Sequence, residues 1–274
     1  MEPLLISSKQ NPHIKALLAL QQKSSERRRS GLFVVEGQRE LGHCIAAGYE
    51  VVEWYVCSSL LGAAGERLLS EAKAATVYEL SPTLYEHIAY RGSTEGVVAV
   101  VKERPLDLND LQMKEAPLIV VLESVEKPGN LGAILRSADA AGADAVVVCD
   151  PLTDLYNPNL IRSSIGARFT VPTVACTSEE CIAFLQERGI QILTAQLQDS
   201  HPYYDVDMRV GTAIVMGTEA TGLTEQWRRA ATAHIRIPML GRLDSLNVSV
   251  SSAILVYEAV RQRGGKLRIE TLKS

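Results

Sequence analysis

The second half of the chain most constrains the fold. Apolar runs at 118–122, 145–149, 171–175, 190–195 and 213–216 alternate there with helical stretches near 130–141, 157–165, 178–188 and 223–231. Runs such as Leu118-Ile119-Val120-Val121-Leu122 and Ala145-Val146-Val147-Val148-Cys149 are apolar at every position, not at every second one. A strand without a polar face is buried on both sides, and helices between such strands supply crossovers. The pattern therefore predicts a parallel sheet covered on both faces. Each run is far shorter than the roughly 20 residues that span a bilayer, so no transmembrane helix is expected.

The first hundred residues mix shorter signals. Helical spacing covers Ile14, Leu17, Leu18 and Leu20, and strands are predicted at 32–35, 51–57 and 97–101, with helices over 39–47 and 65–75 between them. Residues 102–116 are polar and hold no period, which marks a linker. The expected organisation is a small α/β domain over 1–104, a linker over 105–116 and a parallel-sheet domain over 117–274. With 274 residues, 46% hydrophobic and 22% charged, the composition is that of a globular protein and excludes collagen-like, coiled-coil and disordered classes.

The five cysteines, Cys44, Cys57, Cys149, Cys176 and Cys181, are odd in number and never spaced as C-x-x-C. They read as reduced, mostly buried thiols. His13, His43, His87, His201 and His234 show no ligand spacing either, so no metal is expected. The N-terminal residues lack a basic stretch followed by a long apolar core, which predicts a cytoplasmic protein.

Formal net charge is −4, so no global basic field points to nucleic acid. Residues 1–30 depart from this. They carry Lys9, Lys15, Lys23, Arg27, Arg28 and Arg29 against Glu2 and Glu26, six positive and two negative groups, a local balance of +4. Charge alone favours a solvated helix end over a phosphate-binding patch.

Phosphate-loop signatures fail. Gly217-Thr218-Glu219-Ala220-Thr221-Gly222 has the glycines of a Walker loop, but in Leu223-Thr224 a leucine stands where the phosphate-binding Lys is required, and G-x-G-x-x-G occurs nowhere. Three other constellations remain. Glu126 to Arg136 follows the first strand of the second domain; Asn130 is suited to cap a helix whose buried stripe is Leu131, Ile134, Leu135 and Ala138, leaving Arg136 off the stripe. Gly217 to Gly222 follows Ala213-Ile214-Val215-Met216, and a glycine after a buried strand permits close backbone approach. Ile235 to Ala253 places Ser245 and Asn247 between a short strand and a helix whose predicted buried stripe is Val250, Ala253, Ile254, Tyr257 and Val260. Capping alone, by Asn247 or Ser249, does not require so many polar side chains there.

In order and spacing these segments resemble the three signature motifs of the SpoU/TrmH branch of the SPOUT RNA methyltransferases. Asn130, Gly132 and Arg136 match N-x-G-x-x-x-R; Gly217 and Glu219 match the glycine-then-acid loop; Ile237 to Val250 match I-P-M-x-G…S-L-N-V-S-V. Asn11-Pro12-x-Ile14-Lys15, Phe33-Val34-Val35-Glu36-Gly37 and Glu95-Gly96-Val97-Val98-Ala99 are similar to the substrate-binding domain fused ahead of that catalytic domain.

The resemblance implies a knotted C-terminal α/β domain working as a homodimer, preceded by a small α/β RNA-binding domain resembling a ribosomal-protein fold. It implies S-adenosylmethionine bound at Gly217, Ile237 and Leu246, and methylation of an RNA ribose 2′-hydroxyl, with ribosomal RNA favoured over transfer RNA. Arg136 would act as base or charge clamp, with Asn130, Glu219, Ser245 and Asn247 positioning it and the ribose. In that light Lys9, Lys15, Arg27, Arg28 and Arg29 become phosphate contacts. The competing class is an RNA-binding or ribosome-assembly protein that keeps the fold without catalysis.

Overall fold

The computed structural model describes residues 3–71, 76–90, 95–218 and 221–265. The chain runs β1 (Leu4–Ile6), α1 (Pro12–Gln22), α2 (Ser24–Ser30), β2 (Leu32–Glu36), α3 (Gln38–Ala46), β3 (Val51–Val56), α4 (Ser58–Glu71), β4 (Thr76–Leu80), α5 (Pro82–Ile88) and β5 (Val97–Lys102). It continues through β6 (Leu118–Glu123), α6 (Pro128–Ala140), β7 (Ala145–Cys149), α7 (Pro158–Ser163), α8 (Ala167–Thr170), β8 (Thr173–Cys176), α9 (Ser178–Glu187) and β9 (Gln191–Ala195). The last elements are β10 (His201–Pro202), β11 (Thr212–Met216), α10 (Glu225–Ala230), β12 (Ala233–Arg236) and α11 (Val248–Gln262). Among the described residues no helix is long and apolar enough to cross a membrane.

Two compact units result: Met1–Pro105 with Thr153–Thr170, and Leu106–Leu152 with Val171–Ser274. In the first, a mixed sheet of order β1-β4-β3-β5-β2 is parallel at β1-β4-β3 and antiparallel at β3-β5-β2. The apolar run in β5 splits by the two-residue period. Val97, Ala99 and Val101 join Phe33, Leu41 and Trp54 on one face, whereas Val98 and Val100 join Ile14, Leu17 and Tyr85 on the other. Strand β4 and helix α5 were not anticipated from sequence; β4 alternates only weakly, with Tyr78 and Leu80 buried.

Residues 153–170, taken from sequence as part of the second domain, belong to the first unit. Tyr156 and Phe169 lie 4.5 and 6.1 Å from the Phe33 ring, centre to centre. Arg162 pairs with Glu36 at 2.9 Å. The helix predicted over 157–165 stops at Ser163, because Ile165 (φ 54°) and Gly166 (φ 82°) turn the chain into α8. This packing also corrects the expectation for Arg27. Its guanidinium is 2% exposed, pairs with Asp154 at 2.5 Å and donates to the Leu20 carbonyl oxygen, so it fixes the fold of its own unit and offers nothing to a phosphate.

The second unit holds a seven-stranded, wholly parallel sheet of order β10-β12-β9-β11-β6-β7-β8. Strands β6 and β7 are buried at every position, as the uninterrupted apolar runs predict. Helix α6 buries the expected Leu131, Ile134, Leu135 and Ala138, with Gly132. Helix α11 does not bury its expected stripe. It packs on α6, β6 and β11 through Val248, Ser252, Leu255, Val256 and Ala259, leaving Val250 and Tyr257 about half exposed. The helix is apolar on two faces, and periodicity alone does not say which one the sheet takes.

Removing one partner of a buried ion pair strands the other charge, at a cost of about 3–5 kcal/mol. Arg27→Ala is therefore expected to lower the unfolding free energy by that order, read from denaturant titration, whereas Arg28→Ala, at an exposed position, stays within about 0.5 kcal/mol of the unaltered protein. Equal unfolding curves for the two variants would refute the buried role.

Candidate active site

Parallel pairing sets Met216 beside Leu122, so the carboxyl ends of β6 and β11 lie side by side. In an open α/β sheet this is where ligands bind. The loops after β9, β11 and β12 and the first turn of α11 line two adjoining clefts here, while the loop after β6 and the first turn of α6 border a small recess beside Gly217. One, of about 530 Å³, is bounded by Leu197, Met216, Gly217, Leu223, Leu246 and Asn247. A smaller one, of about 140 Å³, shares Met216, Ser245 and Leu246 with it and adds Ile237 and Met239.

Helix α6 starts earlier than expected. Pro128 takes its first position, where a missing N–H costs nothing, so Asn130 falls inside the first turn instead of capping it. Asn247 is the cap of α11: its Oδ1 accepts from the Ser249 backbone N–H at 3.0 Å and from Ser249 Oγ at 2.6 Å. Its Nδ2 donates to Asn130 Oδ1 at 3.3 Å, joining two helix starts 117 residues apart in sequence.

The loop after β11 closes on itself. Thr218 and Gly222 exchange backbone hydrogen bonds of 3.1 and 3.2 Å, and the Thr218 and Thr221 hydroxyls meet at 2.8 Å. A Cβ on Gly217 would lie 2.3 Å from the Gly222 carbonyl carbon, so this position accepts only glycine as the loop stands. The close approach that sequence reserved for a ligand is made by the chain's own backbone. Glu219 lies outside the described residues.

Sequence reasoning missed the support beneath this loop. Glu123, 2% exposed at the end of β6, accepts from the Thr224 backbone N–H at 2.9 Å and from its hydroxyl at 2.6 Å. Ser178 Oγ donates to Asp150 at 2.5 Å and accepts from the buried Trp227 Nε1 at 2.9 Å. These bonds fix where α10 begins, and therefore where the loop must end. An acid ending an apolar strand was the only trace of this in the sequence. Gln196 was missed as well. It lines both clefts, and its buried Oε1 has no hydrogen-bond partner among the described residues, an acceptor left for something outside the chain.

Asn130, Gly217, Ile237, Ser245, Leu246 and Asn247 thus converge, with Asn130 on a small recess shared with Gly217, Thr218 and Val248. Ser245 is exposed and donates to Asp244 at 3.1 Å. Arg136 stands one and two-thirds turns along α6 from Asn130, exposed, and bonds to none of the described residues. Of the basic group, Lys9, Lys15 and Arg28 are exposed, and Arg29 is exposed but held by Glu26 at 2.7 Å. Two guanidinium nitrogens donate to the one oxygen Glu26 Oε2, and the contact raises the Arg29 pKa and lowers that of Glu26.

Comparison with known proteins places both parts of the chain. Residues 117–257 match the SpoU rRNA Methylase family, and residues 11–99 an MRM3-like substrate binding domain. The chain is 36% identical over 222 residues to the 23S rRNA (guanosine-2'-O-)-methyltransferase RlmB of Bordetella pertussis, covering 78% of this chain and 91% of that protein. It is 30% identical over 262 residues to the 23S rRNA (uridine(2479)-2'-O)-methyltransferase of Streptomyces viridochromogenes, covering 92% and 91%. The crystal structure of an AdoMet-bound rRNA methyltransferase from Sinorhizobium meliloti superposes with a TM-score of 0.86 at 28% identity, covering 94% of this chain and 97% of that one.

Loss of a side-chain helix cap costs about 0.5–2 kcal/mol. Asn247→Ala should lower the thermal midpoint accordingly, while Asn247→Asp keeps the cap, loses the donor to Asn130 and melts close to the unaltered protein. An alanine variant as stable as the parent would show that the bridge carries no weight.

Proposed function

This chain belongs to the SpoU rRNA methylase family, and from that premise we propose how its residues carry out the family's reaction. It is an S-adenosylmethionine-dependent methyltransferase acting on a ribose 2′-hydroxyl of ribosomal RNA. The observation that carries the assignment of residues is the meeting of all three polar loops at the paired ends of β6 and β11, locked by the Asn130–Asn247 bond.

The clefts fit the cofactor. Their combined size is in the range of small-ligand pockets, Met216, Ile237 and Leu246 give an apolar wall, and the unpaired Gln196 Oε1 suits a ligand amine. Gly217, Ile237 and Leu246 would hold it. When bound, S-adenosylmethionine supplies a methyl group on sulfonium sulfur with a neutral leaving group. The protein is left to align the hydroxyl, an effect worth up to about 7–11 kcal/mol in favourable cases. Asn130, Asn247 and Ser245 orient the ribose by hydrogen bonds. Glu219 acts with them from the loop after Gly217. Arg136 clamps the phosphate and the oxygen charge that develops as the hydroxyl proton leaves to solvent; an exposed guanidinium is a strong anion ligand and a poor base.

The first unit binds the RNA, with Lys9, Lys15, Arg28 and Arg29 on phosphates. The protein works as a homodimer in the cytoplasm: the half-exposed Val250 and Tyr257 on α11, with Leu240 and Leu243 nearly bare beside the cleft, form an apolar surface suited to a second copy. The reading includes the family's knotted chain course. It is supported by α11 packing on α6 and β11 instead of on β12, the strand it follows.

With radiolabelled S-adenosylmethionine and 23S rRNA, methyl transfer should leave one alkali-resistant linkage. Arg136→Ala should lower turnover by at least about 100-fold and keep cofactor affinity, whereas Gly217→Ala should abolish cofactor binding measured by calorimetry. Label on a base, or full activity in Arg136→Ala, refutes the assignment. Val250→Asp with Tyr257→Asp should sediment as a monomer; a dimer that persists places the interface elsewhere.

A further inference from the structure

Three of the five cysteines, dispersed in sequence and never spaced as a chelating pair, come together in the second unit. The Sγ atoms of Cys149, Cys176 and Cys181 all lie within 4.8 Å of one another. Cys149 ends β7, Cys176 ends β8 and Cys181 is in the first turn of α9. Cys149 and Cys181 are fully buried and Cys176 is partly exposed. The spacing is fixed by backbone, not by chance side-chain packing. Cys149 and Cys176 are register partners on adjacent parallel strands. The N–H of Asp150 donates to the Cys176 carbonyl oxygen at 2.9 Å, that of Ser124 to the Cys149 carbonyl oxygen at 2.9 Å, and that of Cys181 to the Thr177 carbonyl oxygen at 3.1 Å.

We propose that Cys149, Cys176 and Cys181 form a three-sulfur site for a soft monovalent cation, copper(I), separate from the methyl-transfer cleft. Three sulfurs at about 2.3 Å from one ion lie about 4.0 Å apart, so closing from at most 4.8 Å requires only small side-chain rotations. Thiolates select soft ions. Among the described residues no His, Asp or Glu completes the group, which disfavours zinc, whose structural sites take four ligands. Binding is coordination without redox change: each ligating thiol gives its proton to water and its sulfur lone pair to the ion. Cys176 and Cys181 flank the start of α9, the end of a helix where its dipole favours negative charge. Packing alone, with cysteine as a small apolar residue, predicts no ion affinity.

The test is anaerobic titration of the full-length, reduced protein with copper(I) against a competing chelator, with sulfur coordination read by X-ray absorption. One equivalent bound to three sulfurs is expected. Cys176→Ser, at the partly exposed position, and Cys181→Ser should each weaken retention more than about 10-fold, while Cys44→Ser with Cys57→Ser, in the other unit, leaves it unchanged. In the unaltered protein copper(I) should shield Cys176 from maleimide, a reading independent of any variant's folding. No stoichiometric binding, affinity unchanged in Cys176→Ser, an unshielded Cys176, or tighter retention of zinc(II) than of copper(I) would each overturn the proposal.

Discussion

The site depends on one amide. Asn247 spends its oxygen on the first turn of α11 and its nitrogen on Asn130 in the first turn of α6. The two helices pack on each other, α11 against β6 and β11 and α6 against β7, and are thereby also tied at their starts. A cap that served only its own helix would leave the loop before it free to choose its height over the sheet. Sharing the amide removes that freedom and gives the loop carrying Ser245 and Leu246 a fixed base.

The second anchor lies below. Glu123 ends a strand that is otherwise apolar, and a carboxylate so deeply buried is tolerated only where donors surround it. Thr224 supplies two of them and Ser178 stands at 3.5 Å, so the loop from Gly217 to Thr224 is pinned at its far end while the missing side chain of Gly217 lets it fold back at its near end. The cleft wall is rigid for reasons that lie outside the cleft, and the same Asp150–Ser178 contact borders the three-cysteine cluster.

The first unit shows the converse. A basic run that reads as a phosphate patch divides by burial: Arg27 holds Asp154 and a carbonyl oxygen inside, whereas Arg28, two carbons of backbone away, faces water. Charge counts along a sequence add groups that the fold sorts into structural and available ones. The pairing of Tyr156 and Phe169 with Phe33 likewise assigns residues 153–170 to a unit from which they are separated by some fifty residues of chain.

Local pattern was enough for most elements of the parallel sheet, for the buried face of α6 and for the three motif segments, because each is set by the periodicity or chemistry of a few consecutive residues. It did not yield the short strand β4, the buried face of α11, the start of α6 or the place of Arg27. Those depend on partners distant in sequence: an edge strand is defined by its neighbour, and a helix apolar on two faces is oriented by what packs against it. The Asn130–Asn247 bond, the Glu123 support, the unpaired Gln196 oxygen and the meeting of three thiols belong to the same class. The order of residues sets which groups are able to bond, and the fold selects which of them meet, because distance in space is not a function of distance along the chain.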